Sequence, residues 1–321
     1  MTPELQAANR NLAGVGLLLM GVVFLTSMDS TAKALVGADY SVMQILAIRG
    51  WLIVAALVLI LPRIGGLSAL KTKQPFKHLL RVSVGFAAPY FFFSSLKFMG
   101  LADATVIFFG GATFLMTALS VPVFKERVGP HRWGAVIVGF IGVVIAAQPG
   151  DGVFRIEALF PIASGMAYAV LSIATRSLGP AEGAFRPVFF FNLGLACIAS
   201  VFLPMTFIAM PGEDMTMIAI MATLAVCGHF CITRAFQIAP LGLLAPFEYT
   251  SIICAAALGY FIWSDVPGTN ILIGGGIIVS CGFYLLHRET LAARREKRKE
   301  AAILAVDPMV ITARAPVDDN S

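Results

Sequence analysis

Several charged or hydrogen-bonding side chains sit inside apolar sequence, where each asks for a chemical reason. In "FLTSMDSTAKALV" Asp29 and Lys33 stand four residues apart at the edge of a long uncharged run. On a helix that spacing puts both charges on one face. Arg49 is isolated in "QILAIRG", about nine residues into an apolar run, which is ~13 Å of helix. It needs a counter-charge, and Asp29 is the nearest candidate by depth, so Asp29, Arg49 and Lys33 read as a structural ion-pair group. An interfacial Asp29–Lys33 pair at a helix end is an equally good reading. His229 in "CGHFC" and Glu248 in "APFEYT" fall at comparable depths in neighbouring runs. A carboxylate and an imidazole there could share a proton, which makes them candidates for proton coupling. A bond from Glu248 to backbone or Arg234 is the bland alternative. Arg49, Tyr90, Asn192, His229, Glu248 and Tyr249 are the candidates for binding a solute, with Gln44, Tyr168 and Gln237 able to bond a polar edge. The runs "PYFFF" and "FFFN" add aromatic faces, although consecutive Phe residues point around a helix.

Other chemistries find little footing. Cys227, His229 and Cys231 are spaced by two, so on a helix the imidazole points away from both thiols and no metal site is expected. The five cysteines read as small apolar packing residues. His78, His131 and His287 lie at the ends of apolar runs, leaving His229 alone for catalysis. There is no GxxxxGK[ST] loop for a nucleotide. No enzyme activity and no cofactor are expected.

The elements that must hold these residues are dictated by hydropathy. The chain has 321 residues, is 58% hydrophobic and only 13% charged, and its mean hydropathy is +0.86. Soluble domains are about half apolar and about a quarter charged. A helix needs about 20 apolar residues to cross a bilayer. Runs bounded by charges and turn residues give ten such segments, at 12–35, 40–61, 79–96, 102–124, 133–147, 156–174, 187–209, 215–238, 241–263 and 270–286. Continuous rather than alternating runs exclude a barrel, so the expected fold class is an all-α membrane protein. The start, "MTPELQAANRN", has no signal-peptide pattern and is expected to be a retained cytoplasmic segment, residues 1–11.

Lys and Arg set the orientation. With both termini on the cytoplasmic side, the inner segments hold Arg10, Arg63, Lys71, Lys73, Lys77, Arg81, Lys125, Arg127, Arg132, Arg176, Arg186, Arg234 and the cluster from Arg288 to Lys299. The outer segments hold Lys33, Lys97 and Arg155 beside Asp39, Asp103, Asp151, Glu213, Asp214 and Asp265. This is the positive-inside pattern and predicts a multi-pass protein of the cell inner membrane. The run "RREKRK" reads as a juxtamembrane segment on anionic lipid rather than a nucleic-acid site. Residues 288–321 are then a basic, disordered tail, and the chain is expected to act as a monomer or homodimer.

The chain also repeats. Residues 96–133 overlay 235–272 without a gap at an offset of 139, with Glu126 of "FKERVG" against Asp265 of "IWSDVPG". Each half, 12–147 and 156–287, has five segments, so the second enters the membrane from the opposite side. Ten helices as two inverted five-helix repeats are a transporter architecture, with a site near the midplane. "FKERVGPHRWGAVIVGFIGVVIAAQPG", Arg49 in "QILAIRG" and "APFEYTSIICAAALGYFIWSDVPGTNILIGGGIIVSCGFYLLHRE" resemble the EamA-type drug/metabolite transporters over about residues 12–287. Asp265 departs from the Glu common in that family. The resemblance implies a carrier of small organic solutes whose central cavity is lined by helices one, three, four, six, eight and nine.

The expected function is therefore secondary active transport of a small organic metabolite, amino acid-like or vitamin-like and possibly aromatic such as riboflavin, by alternating access. An intramembrane enzyme or a channel is the alternative. Pro89, Pro122, Pro161 and Pro246 break backbone bonds inside the runs, while Gly110–Gly111 and Gly274–Gly276 permit close helix approach.

Overall fold

The computed structural model describes residues 3–125, 129–146 and 156–266, with further helical residues between 269 and 294. Among the described residues every regular element is a helix. The first half holds α1 (Pro3–Gly37), α2 (Val42–Ile60), α3 (Pro75–Gly85), α4 (Ala87–Ser95), α5 (Leu101–Phe124) and α6 (Pro130–Ala146). The second holds α7 (Leu159–Leu178), α8 (Phe185–Ser200), the turn α9 (Leu203–Thr206), α10 (Gly212–Ile238), the turn α11 (Leu241–Leu244) and α12 (Thr250–Trp263). A 3-10 segment, Ala245–Tyr249, joins α11 to α12. Four segments are long and apolar enough to cross a membrane as single helices: Asn9–Gly37, Val42–Ile64, Ile156–Leu178 and Gly212–Ile238.

Local chemistry sets the boundaries. Asp39 adopts φ 62° and turns the chain after α1. Ser41 then caps α2, its hydroxyl accepting from the Gln44 amide at 3.1 Å. Gly65, at φ 108°, ends the 3-10 turn that follows α2. Glu213 and Asp214 occupy the first turn of α10, where the helix dipole favours negative charge. Pro240 prevents α10 from continuing past Ala239.

Three expected segments differ. Helix already begins at Pro3, so the segment read as a separate N-terminus is largely the first turns of α1. The run at 79–96 is two helices meeting at Gly85–Phe86, three residues before Pro89. The run at 241–263 is a short turn, a 3-10 segment through Pro246, and α12. Proline removes an amide donor in each run, and the backbone accommodates it by a break or a tighter turn. Glu126, Asp151, Arg155 and most of the basic tail lie outside the described residues, as do the side-chain surroundings of Gly110 and Gly111.

Large apolar side chains cover the outside. Leu59, Leu67, Phe76, Met205, Phe261 and Val266 are all strongly exposed. Such a surface would be unstable in water and is ordinary against lipid chains. Inside, helices of the two halves pack on each other. α1 runs along α10, and α7 runs along α3 and α4. α5 packs on α7, and α12 packs on α1. α2 meets α8, and α5 meets α12. Under the 139-residue offset each contact either exchanges with its partner in that series or is its own counterpart. Close approaches need missing side chains: a Cβ on Gly165 of α7 would run into the Phe108 carbonyl of α5, and one on Gly50 of α2 would lie 2.8 Å from Ala196 of α8.

Candidate functional site

The seam between the halves encloses a cavity of about 130 Å³. Its walls come from α1, α3–α4, α5, α7, α10 and the segment around Glu248, with Arg49 alone from α2 and Phe191 alone from α8. Phe92, Phe93, Phe108, Phe109, Tyr168, Phe191 and Phe236 make much of it aromatic, and Phe108 lies 5.2 Å from Tyr168, ring centre to ring centre. Thr26, Ser164, Ser172 and Thr233 add hydroxyls.

Arg49 is 1% exposed. Its Nη1 donates to the Met28 thioether at 3.0 Å, and its guanidinium lies 5.6 Å from the centre of the Phe93 ring. Among the described residues its Nε has no hydrogen-bond partner. A thioether is a weak acceptor, so the cation is poorly satisfied for a buried charge. Glu248 is likewise 1% exposed. Its Oε1 accepts from the Tyr168 hydroxyl at 2.8 Å, and its Oε2 has no partner. His229 lines the same space, its Nδ1 lying 3.4 Å from Asn192 Nδ2 and its ring edge-on to Phe191. Glu248 is therefore bonded to Tyr168, and His229 faces Asn192, in place of the expected His229–Glu248 link.

The Asp29–Arg49–Lys33 group is divided. Asp29 lines the cavity with Arg49, yet no ion pair within 4.0 Å joins it to Arg49 or Lys33. Lys33 instead meets Asp265 at 2.9 Å and lies 4.4 Å over the Trp263 ring. Helix-face spacing could not reveal this, because the competitor comes from the other half of the chain.

Other candidates fall outside the wall. Tyr90 stacks on Phe86, with ring centres 5.9 Å apart. Tyr249 is fully buried against Val106 and Ile252, toward Gly139 of α6. Asn192 stands behind His229 and donates to the Val188 carbonyl at 2.8 Å. Gln44 bonds the Ile208 backbone in both directions, at 2.5 and 2.9 Å. Gln237 donates to the Gly183 carbonyl at 2.7 Å. Among the described residues no cluster of three His, Cys, Asp or Glu side chains could hold a metal.

Arg81 is the residue that sequence reasoning missed. It reads as one more basic residue of the inner segment, although it stands near the start of the apolar run 79–96, and it is buried. Its Nε donates to Thr175 Oγ1 at 2.8 Å and its Nη1 to the Pro187 carbonyl at 2.5 Å, while its guanidinium lies 4.8 Å over Phe191. It lines the cavity, and a buried polar network lies on the neighbouring residues. There Glu182 accepts from Thr72 at 3.0 Å and faces His78 at 3.4 Å and Arg186 at 3.8 Å. Burial holds the His78 imidazole below its ordinary 6.5, against the opposing pull of its hydrogen bond to the Glu182 carboxylate.

No family model matches the chain. It is similar to the S-adenosylmethionine uptake transporter of Rickettsia felis, 24% identical over 291 residues, covering 90% of this chain and 97% of that protein. It is 26% identical over 252 residues to the riboflavin transporter of Vibrio cholerae, covering 75% and 83% of the two chains. An uncharacterized transporter of Helicobacter pylori is 27% identical over 287 residues, covering 86% and 95%. A solved crystal structure, 18% identical, superposes with a TM-score of 0.68 over 90% of this chain and 98% of its own. The chain therefore shares the fold of a solved protein and a near full-length likeness to transporters of small metabolites.

Proposed function

We propose that this protein is a secondary carrier of a small organic metabolite, of the EamA-type drug/metabolite transporter kind, with ten membrane helices in two inverted repeats of five. The observation that carries the reading is the cavity at the seam of the two halves, where Arg49 and Glu248 each leave a buried polar atom without a partner. Buried charge in an apolar chain is costly and is kept where a solute or an ion path uses it. The exchange of packing partners between the halves supports the repeat. An odd number of spans per repeat then inverts the second copy, and rocking of one half against the other would expose the cavity alternately. The basic loops support an orientation with both termini in the cytoplasm and the protein in the cell inner membrane.

The relatives suggest substrates to try first, S-adenosylmethionine and riboflavin. Glu248, bonded to Tyr168, is the candidate for proton linkage, with His229 beside the same space. An enzyme would alter its solute, and a channel would not saturate. Purified protein in proteoliposomes, assayed with radiolabelled S-adenosylmethionine and riboflavin in turn, should give saturable, counterflow-competent uptake of at least one unmodified solute. Non-saturable flux or a chemically altered product would refute the carrier reading. Glu248→Gln should abolish accumulation driven by a pH gradient while leaving exchange measurable; unchanged pH dependence would remove the proton role.

A further inference from the structure

Opposite charges buried around one space ordinarily pair, because each is the cheapest solvent the other can find. Here they do not. Arg49 and Glu248 line one cavity, both 1% exposed, and no ion pair joins them. Each spends part of its bonding capacity on a neutral neighbour, Met28 for the cation and Tyr168 for the anion. Each retains an unsatisfied atom, Arg49 Nε and Glu248 Oε2. Arg81, the other guanidinium in the wall, donates to Thr175 and the Pro187 carbonyl, and none of its atoms is among the buried ones left without a partner.

We propose that the cavity selects a zwitterion, with the solute's carboxylate on Arg49, its cationic nitrogen or sulfur on Glu248, and an apolar or aromatic body against Phe93 and Phe108. This rests on the carrier reading above and adds the substrate's charge pattern. A guanidinium matches a carboxylate with two parallel donors. A carboxylate with one oxygen already held by Tyr168 offers its second oxygen to an ammonium. A solute bearing both groups satisfies both protein charges at once, whereas an acid or an amine alone leaves the other stranded, at a cost. A neutral ring such as a flavin satisfies neither charge. Asp29 is the second anion near Arg49 and the competitor for the solute's cation.

The test is competition in proteoliposomes, with three matched sets as probes: tryptophan, tryptamine and indole-3-propionate; phenylalanine, phenethylamine and 3-phenylpropionate; methionine, 3-(methylthio)propylamine and 4-(methylthio)butyrate. Each competes against counterflow of whichever labelled solute the carrier assay establishes. In at least one set the zwitterion should compete about tenfold or more better than both single-charge analogues. Arg49→Gln should then remove the advantage of the zwitterion over its amine, with the amine unaffected. Glu248→Gln should remove its advantage over the acid, with the acid unaffected. Arg49→Lys, which keeps a cation, should restore part of the first effect and guards against a variant that fails to fold. Equal weakening of all three analogues by either variant assigns a structural role and overturns the proposal. Loss of amine recognition in Asp29→Asn but not in Glu248→Gln overturns it too, as does riboflavin flux that no zwitterion inhibits, which leaves the carrier standing. Absence of saturable flux for both labelled solutes sinks the carrier reading itself and this inference with it.

Discussion

The two ends of the helix bundle are fastened in different ways. At one end Lys33 reaches Asp265, Tyr40 donates to Asp214 at 2.7 Å, and Gln44 bonds the Ile208 backbone. The Asp265 side chain is 54% exposed, so its ion pair stands in a screened setting. At the other end Arg81, Glu182 and His78 are buried, and charged or amide groups are spent on backbone carbonyls: Lys77 on Ser177, Gln74 on Leu178, Arg186 on Ala69, Arg176 on Phe236 and Gln237. Every one of these bonds except the last two, from Arg176, joins the first half to the second. Exposed pairs contribute about 0–1 kcal/mol, whereas stripping one partner from a buried network costs about 3–5 kcal/mol. The Lys33 end is therefore the easier one to part, and the Arg81 end the harder.

Four experiments break or sharpen this contrast. The largest effect belongs to Arg81→Met, which removes the cation's bonds to the Pro187 carbonyl and the Thr175 hydroxyl and should cost about 3 kcal/mol, read as a lowered unfolding midpoint in detergent. A change no larger than that of a surface substitution would erase the asymmetry. Glu182→Gln comes next: it keeps the shape but removes the charge facing His78 and Arg186, and should cost about 1–2 kcal/mol by the same measurement. Lys33→Ala should cost less than about 1 kcal/mol. A double-mutant cycle with Asp265→Asn should give a coupling that fades in 1 M salt, where the screening length is about 3 Å, and a salt-independent coupling would place the pair in a buried site.

The smallest effect is a pH dependence. The His78 imidazole titrates below its ordinary 6.5 because burial disfavours its charged form. The unfolded chain then binds a proton that the folded one refuses, so stability is intact above pH 6.5 and declines as the pH falls through the lowered value. His78→Gln should flatten that decline, and an unchanged slope would assign it to another group.

Much of the fold was legible because hydrocarbon is an unforgiving solvent. Helix bounds at Leu101–Phe124 and Gly212–Ile238 lie within a few residues of the apolar runs that predict them. The broken run through Pro89 and the 3-10 passage through Pro246 were less legible, since proline states that a bond is lost but not how the chain compensates. Of the candidate site, Asp29, Arg49, His229 and Glu248 do line one cavity. Tyr90, Asn192 and Tyr249 do not, because a polar group on an apolar helix says nothing of which neighbour that face meets. Arg81 was hidden by its basic flank, which gives every cation there the same bland meaning.

By itself the sequence determined that the chain lives in lipid, that its elements are helices, and which few charged side chains would need company there. These follow from transfer free energies summed over runs of residues, which need no knowledge of partners. Only the tertiary structure decided that company: Lys33 with Asp265 across 232 positions, Glu248 with Tyr168 across 80, and Arg49 with a thioether and an aromatic ring, Asp29 standing in the same wall. Pairing is a contest among all groups within reach, and reach is fixed when the two halves close on each other.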